Sequence, residues 1–208
     1  MLAIRGLRHA YSGRSVLAID DWSVAQGEAS LVLGPSGSGK STLLAIVAGL
    51  LRPTEGRVDV AGSEVSKMAA AERDRFRARH VGIVLQKLHL IGVLSVAENL
   101  RLARRLAGLA DDPAHIRRTL EALGLGALAS RRAASLSVGE AQRVAIARAV
   151  VNRPKVILAD EPTAALDDAN CEKALSLLLE QAAACEATLV VATHDRRIAE
   201  RFARRLEL

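Results

Sequence analysis

One stretch constrains the fold more than any other: Gly34-Pro35-Ser36-Gly37-Ser38-Gly39-Lys40-Ser41. An apolar run, Ala29 to Leu33, precedes it and predicts a buried strand. Thr42 to Leu50 follows and predicts a helix. Strand, glycine-rich loop and helix in this order form a phosphate-binding loop. The glycines let backbone N–H groups converge on an anion, and the helix N-terminus adds its positive end. Lys40 is placed to reach the terminal phosphates of a nucleoside triphosphate, with Thr42 beside them. The Ser41 hydroxyl is placed to complete a Mg²⁺ shell.

Composition sets the frame around this loop. At 208 residues the chain is one large domain, or a core with a small subdomain. Half of it is hydrophobic but only 2% is aromatic, so the core is aliphatic. The net charge is +6, with arginines clustered in pairs such as Arg104-Arg105 and Arg131-Arg132. That excess suits nucleic acid, anionic lipid or solvated helix faces alike. Cys171 and Cys185 lack metal-ligand spacing and read as reduced thiols. The N-terminus carries no signal-peptide pattern, and no apolar run approaches the ~18 residues of a membrane span.

Residues 1–28 alternate weakly around turn signals and predict two or three antiparallel strands. Tyr11 falls in their polar connection, where its ring could stack on a base. Arg57 to Val60 predicts a short strand, 67–79 a surface helix, and Val81 to Leu85 a buried strand. Gln86 then stands at the carboxyl end of that strand, the edge where open α/β sheets bind ligands, as a ligand for Mg²⁺ or a water. Residues 87–135 lose the strand pattern. Ser95 and Glu98 form a capping box ahead of Leu100, Ala103 and Leu106 on one face. Asp112-Pro113 starts a second helix with Ile116, Leu120 and Leu123 on its apolar stripe, and Gly124 stops it. Ser137 and Glu140 cap a further helix through Val151. Its start reads equally as a plain cap and as a second anion site at Ser137 and Gly139.

Lys155 to Glu161 carries the second strong signal: a strand that delivers two adjacent carboxylates to the same edge. Asp160 suits a Mg²⁺ ligand and Glu161 the polarisation of a water that attacks the γ-phosphate. Thr188 to Thr193 predicts another buried strand, with His194 at its end, placed for the γ-phosphate and for Glu161. A helix over about 196–203 and a short segment at 205–208 follow. The fold expected is α/β: a P-loop core with a mostly parallel sheet, an N-terminal antiparallel β subdomain and an inserted α-helical subdomain. It is expected as a single domain over 1–208, with 1–86 and 136–208 as the core and 87–135 as the insert.

In this order and spacing, the motifs resemble the nucleotide-binding subunits of ABC transporters along essentially the whole chain. Gly34–Ser41 is similar to that family's Walker A loop, Gln86 to its Q-loop glutamine, and Leu136–Glu140 to its signature motif. Val156–Glu161 resembles the Walker B strand, Ala165-Leu166-Asp167 the D-loop, His194 the switch histidine and Tyr11 the adenine-stacking aromatic. Within the family, Gln86–Leu106 resembles the lipoprotein-releasing, macrolide-exporting and cell-division-associated group. The resemblance implies MgATP hydrolysis in a homodimer, each ATP between one subunit's loop and the other's Ser137 and Gly139. It implies transmembrane permease subunits docked on the helical insert near Lys87–Leu94, a peripheral place on the cytoplasmic face of the inner membrane, and no nucleic acid. The alternative is an ABC-type ATPase acting on nucleic acid or ribosomes. Two departures concern the γ-phosphate contact: Val138 replaces the signature's first glycine and requires φ < 0 there, and Glu140 stands where glutamine is commoner.

Overall fold

The computed structural model describes residues 1–163 and 167–208, for 168 and 169 the backbone only. Strands β1 (Leu2–Tyr11) and β2 (Arg14–Val24) form an antiparallel hairpin. Its two-residue turn, Ser12-Gly13, has positive φ at both positions, the twist that tight hairpins favour. β4 (Glu55–Val60) pairs with the other edge of β1, and the short β5 (Ser63–Glu64) with β4. Tyr11 therefore ends a strand and is not in an irregular loop, because its backbone pairs with Arg14. One face of this sheet is apolar: Leu2, Ile4, Trp22, Val24, Val58 and Val60 share a cluster with helix α1 (Lys40–Val47).

Among the described residues a second sheet is wholly parallel. It orders β6 (Val81–Val84), β7 (Val156–Asp160), β8 (Thr188–Thr193), β3 (Ala29–Leu33) and β9 (Arg204–Glu207). Apart from the charged edge strand β9, its strands are largely apolar and buried because both faces are covered. Val32, Val156, Leu158 and Val190 join the α1 side, while Leu31, Ile157, Ala159, Leu189 and Val191 join the opposite cluster. That cluster also takes in α5 (Val138–Val150) and α6 (Asp168–Ala184). The period of two carries β7's α1-facing series, 156 and 158, on to Asp160.

Helix α2 (Ala70–His80) leads into β6, and α3 (Val96–Leu106) and α4 (Pro113–Ala122) fill the insert. Both capping boxes form, at Ser95/Glu98 and at Ser137/Glu140, and Asp112 caps α4. The insert is closed on itself by backbone bonds from Val96 N to Arg131 O and from Ala97 N to Ala129 O, each 2.9 Å. Asn99 is buried in α3 and satisfied by the Ile91 and Ser95 backbone. Two further expectations need correction. Leu106 does not share the buried face with Leu100: it is 70% exposed, at the mouth of a cleft against α2. The last helix is a 3-10 segment, Arg196–Arg201, ended because Phe202 turns into the core and β9 then pairs with β3.

Candidate functional site

The loop at Gly34–Ser41 folds as its sequence demands. Gly37 and Gly39 have φ of 82° and 100°, open to glycine and strained for other residues. A Cβ on Gly39 would also lie 2.7 Å from Leu17 Cδ2, because the N-terminal hairpin packs on the loop. Lys40 is buried, and its ammonium donates to Gly34 O at 2.8 Å and Pro35 O at 2.9 Å. The cation thus closes the loop on itself, and the Ser38 hydroxyl is buried without a partner. A cleft of about 310 Å³ opens over the loop, lined by Ser36, Gly37, Gly39, Lys40, Ser41 and Thr42. Gln86, Glu161 and His194 line its other side.

The two carboxylates at the end of β7 separate in role. Asp160 stays in the strand, and its Oδ1 is buried with no partner. Burial pushes its carboxyl up, with the Ser41 hydroxyl and the Lys40 charge working against that and Glu161 adding to it. An orphaned carboxylate oxygen beside a loop serine fits a hard divalent cation such as Mg²⁺, which Asp160, Ser41 and Gln86 would hold. Glu161 leaves the strand at φ 48°, a left-handed conformation rare outside glycine, and its N–H donates to Ala192 O at 2.8 Å. That turn aims the carboxylate across the cleft. The Thr193 hydroxyl donates to its Oε2 at 2.8 Å, His194 Nδ1 lies 2.8 Å from Oε1, and Lys40 Nζ lies 3.6 Å from Oε1.

The remaining candidate residues lie elsewhere. Tyr11 is half exposed, with its ring edge-on to His9 at 4.8 Å, and does not line the cleft. Ser137, Val138 and Gly139 are exposed at the start of α5. Val138 is the first residue of that helix, so its φ is negative and a β-branched side chain is accommodated. The Ser137 hydroxyl donates to Glu140 Oε2 at 2.9 Å, and Ser137 N donates to the same oxygen at 2.8 Å. These bonds, the backbone one foremost, hold the Glu140 carboxyl below the usual range. Asp167 caps α6 by accepting from Asn170 N at 2.9 Å. With Gly139 it lines a second cleft, of about 340 Å³, between α5 and α6. Ala165 and Leu166 of the D-loop expectation lie outside the described residues.

Three residues at the site carry no sequence signal of their own. Val16 forms a wall of the first cleft, Thr193 holds Glu161, and Arg148 on α5 donates to the carbonyls of Leu88 and His89 just after Gln86. A valine, a strand-end threonine and one arginine of a helix acquire roles only through tertiary pairing.

Residues 17–164 match the protein family described as ABC transporter. The chain is 41% identical over 190 residues to the lipoprotein-releasing system ATP-binding protein LolD of Legionella pneumophila (strain Lens), spanning 90% of this chain and 84% of that one. It is 42% identical over 216 residues to the macrolide export ATP-binding/permease protein MacB 1 of Aeromonas hydrophila, where it spans 33% of the relative's length. Among solved structures, the post-hydrolysis dimer of the ATP-binding cassette MJ0796 with ADP and Pi superposes with a TM-score of 0.89. It is 32% identical, over 100% of this chain and 94% of that one. The chain therefore belongs to the ABC transporter family of ATPases. It has that family's cassette fold, an α/β core with a parallel sheet and a separate antiparallel sheet, and is an ATP-hydrolysing, ATP-binding subunit of the transport type. No helix of the described residues is long and apolar enough to cross a membrane.

Proposed function

We propose that the chain hydrolyses MgATP in sites shared between two copies of itself and so drives movement through separate transmembrane subunits. The observation that carries this reading is a division of the site. Lys40, Ser41, Gln86, Asp160, Glu161 and His194 gather at one sheet edge, while Ser137 and Gly139 stand exposed on another element. A Cβ on Gly139 would meet nothing within 4 Å, and its φ is not positive. The chain's own fold therefore gives no reason for glycine there, and close approach by a second copy does.

In this reading the loop N–H groups and Lys40 bind the β- and γ-phosphates, and Tyr11 stacks on the base. Lys40 exchanges the Gly34 and Pro35 carbonyls for phosphate oxygens, which also frees Glu161 from its charge. Mg²⁺, when bound, neutralises phosphate charge as the leaving group departs. Glu161 Oε1 takes the proton of the attacking water, whose oxygen bonds to the γ-phosphorus. The bond from phosphorus to the β,γ-bridging oxygen breaks, and its electron pair leaves on ADP. Pro35, Ser36, Gly37, Ser38 and Thr42 shape the cradle. Ser137 and Gly139 of one copy, with Glu140 behind them and Asp167 alongside, close on the other copy's phosphate.

The membrane partner docks on the helical insert, 87–135, which we take as a subdomain of one 1–208 domain. Ile91 and Val93 are 40% and 79% exposed there. A cleft of about 460 Å³ between α2 and α3, lined by Ile83, Ala103 and Leu106 together with Asp74, Arg75, Arg77, Arg148 and Asn152, offers both apolar and charged contacts to such a partner. Docking places the chain at the cytoplasmic face of the membrane. The named relatives serve lipoprotein release and macrolide export, which favours transport over the nucleic-acid alternative.

The shared site has a direct test. Lys40→Ala and Ser137→Ala variants are each expected to hydrolyse ATP poorly. Mixed together, they form heterodimers in which one site joins an intact loop to an intact signature, so activity returns. A mixture no more active than its parts contradicts the shared site.

A further inference from the structure

We infer that Thr193 is a positioning residue for hydrolysis: it is the fixed anchor of the Glu161 carboxylate, and His194 is the movable one. The inference rests on the reading of Glu161 as the base. Consecutive residues at the end of β8 claim the two carboxylate oxygens, Thr193 on Oε2 and His194 on Oε1, each at 2.8 Å. Their surroundings differ. Thr193 is fully buried, whereas the His194 side chain is 53% exposed.

The threonine hydroxyl is also oriented. It accepts from Asp195 N–H at 3.0 Å. A hydroxyl has one proton, and with the Asp195 N–H on its lone pair that proton points to Glu161. Asp195 is itself held, accepting from Arg197 N at 2.9 Å and pairing with the Arg197 guanidinium at 2.6 Å. The hydrogen bonds from Arg197 keep the Asp195 carboxyl below its usual range. The anchor is thus a chain from Asp195 N–H through Thr193 to Oε2. Glu161 needs such an anchor because its backbone sits at φ 48°, outside the strand that would otherwise fix its direction.

His194 is less restrained: its ring is 53% exposed, and among the described residues its hydrogen bond is the one to Glu161. When it turns to the γ-phosphate, Oε1 is released to the attacking water and Oε2 stays on Thr193. The carboxylate then keeps its aim through the switch.

The test compares Thr193→Val, which keeps the shape and removes the hydroxyl, with Thr193→Ser, which restores it. In the purified protein Thr193→Val is expected to lower kcat about 10- to 100-fold, the cost of a misplaced base. KM for MgATP and the binding of a fluorescent ATP analogue stay unchanged, and Thr193→Ser recovers most of the rate. If valine destabilises β8, Thr193→Cys, similar in size with a weaker donor, carries the same comparison. Wild-type kcat in the valine variant overturns the inference. So does an equal loss of kcat and ATP binding that serine fails to rescue, which marks a merely structural role. Glu161→Gln is assayed in parallel. If it hydrolyses normally, the base assignment itself fails. If it is inactive while Thr193→Val is not impaired, only the anchor fails.

Discussion

At the scale of single residues, Asp160 carries a cost in stability that its proposed Mg²⁺ role would explain. Its Oδ1 is buried and unpaired, and burial raises its carboxyl. A carboxyl raised in the folded state favours folding while protonated, and that contribution is lost as pH rises through the raised value. At neutral pH the charge is therefore a cost, one that a cation held there would offset. Asp160→Asn, which removes the buried charge, is expected to melt above the wild type at neutral pH without nucleotide. The gap closes below the ordinary carboxylate range, and Mg²⁺-dependent hydrolysis is lost. Thermal unfolding across pH checks this, and equal melting at neutral pH contradicts it. Glu161 is strained likewise: a non-glycine stands at φ 48°, the conformation that the proposed base would need for its aim.

At the scale of elements, the glycines separate fold from function. Gly82 in β6 lies under α5, where a Cβ would be 2.4 Å from Ala149 O, so Gly82→Ala is expected to lower the melting temperature sharply. Gly139 opens α5 with nothing nearby. Gly139→Ala is expected to melt at or slightly above the wild type, since alanine suits a helix better, yet to lose most ATP hydrolysis. Calorimetry beside an ATPase assay tests the pair, and a Gly139→Ala protein with full activity contradicts the close approach. What the sequence made legible divides along the same line. Caps at Ser95, Asp112 and Ser137 are local chemistry and stand as read. So are the glycine loop and the apolar runs of the parallel sheet. The exposure of Leu106 was not legible, because it depends on where α3 ends against α2. Nor was the 3-10 form of 196–201, set by Phe202 turning into the core. The clasp on Glu161 needed the parallel register of β7 and β8, Asp160 beside Ala192, which no local pattern encodes.

At the scale of the whole molecule, a single chain is half of the proposed machine. The groups proposed to hydrolyse ATP stand on one sheet edge, and the residues that would complete the site stand on a separate helix of the same chain. Arg148 links the two halves, reaching from α5 to the backbone just after Gln86. In the proposed dimer, closure over ATP would reach the insert through Arg148, toward the proposed docking surface at Ile91 and Val93. The most direct test is the assembly state of Glu161→Gln by sedimentation in MgATP. Without the base, ATP stays uncleaved and holds the sandwich shut. The expected result is a stable dimer in MgATP, a monomer without nucleotide or with ADP, and almost no hydrolysis. A Glu161→Gln protein that remains monomeric in MgATP and hydrolyses at the wild-type rate contradicts it.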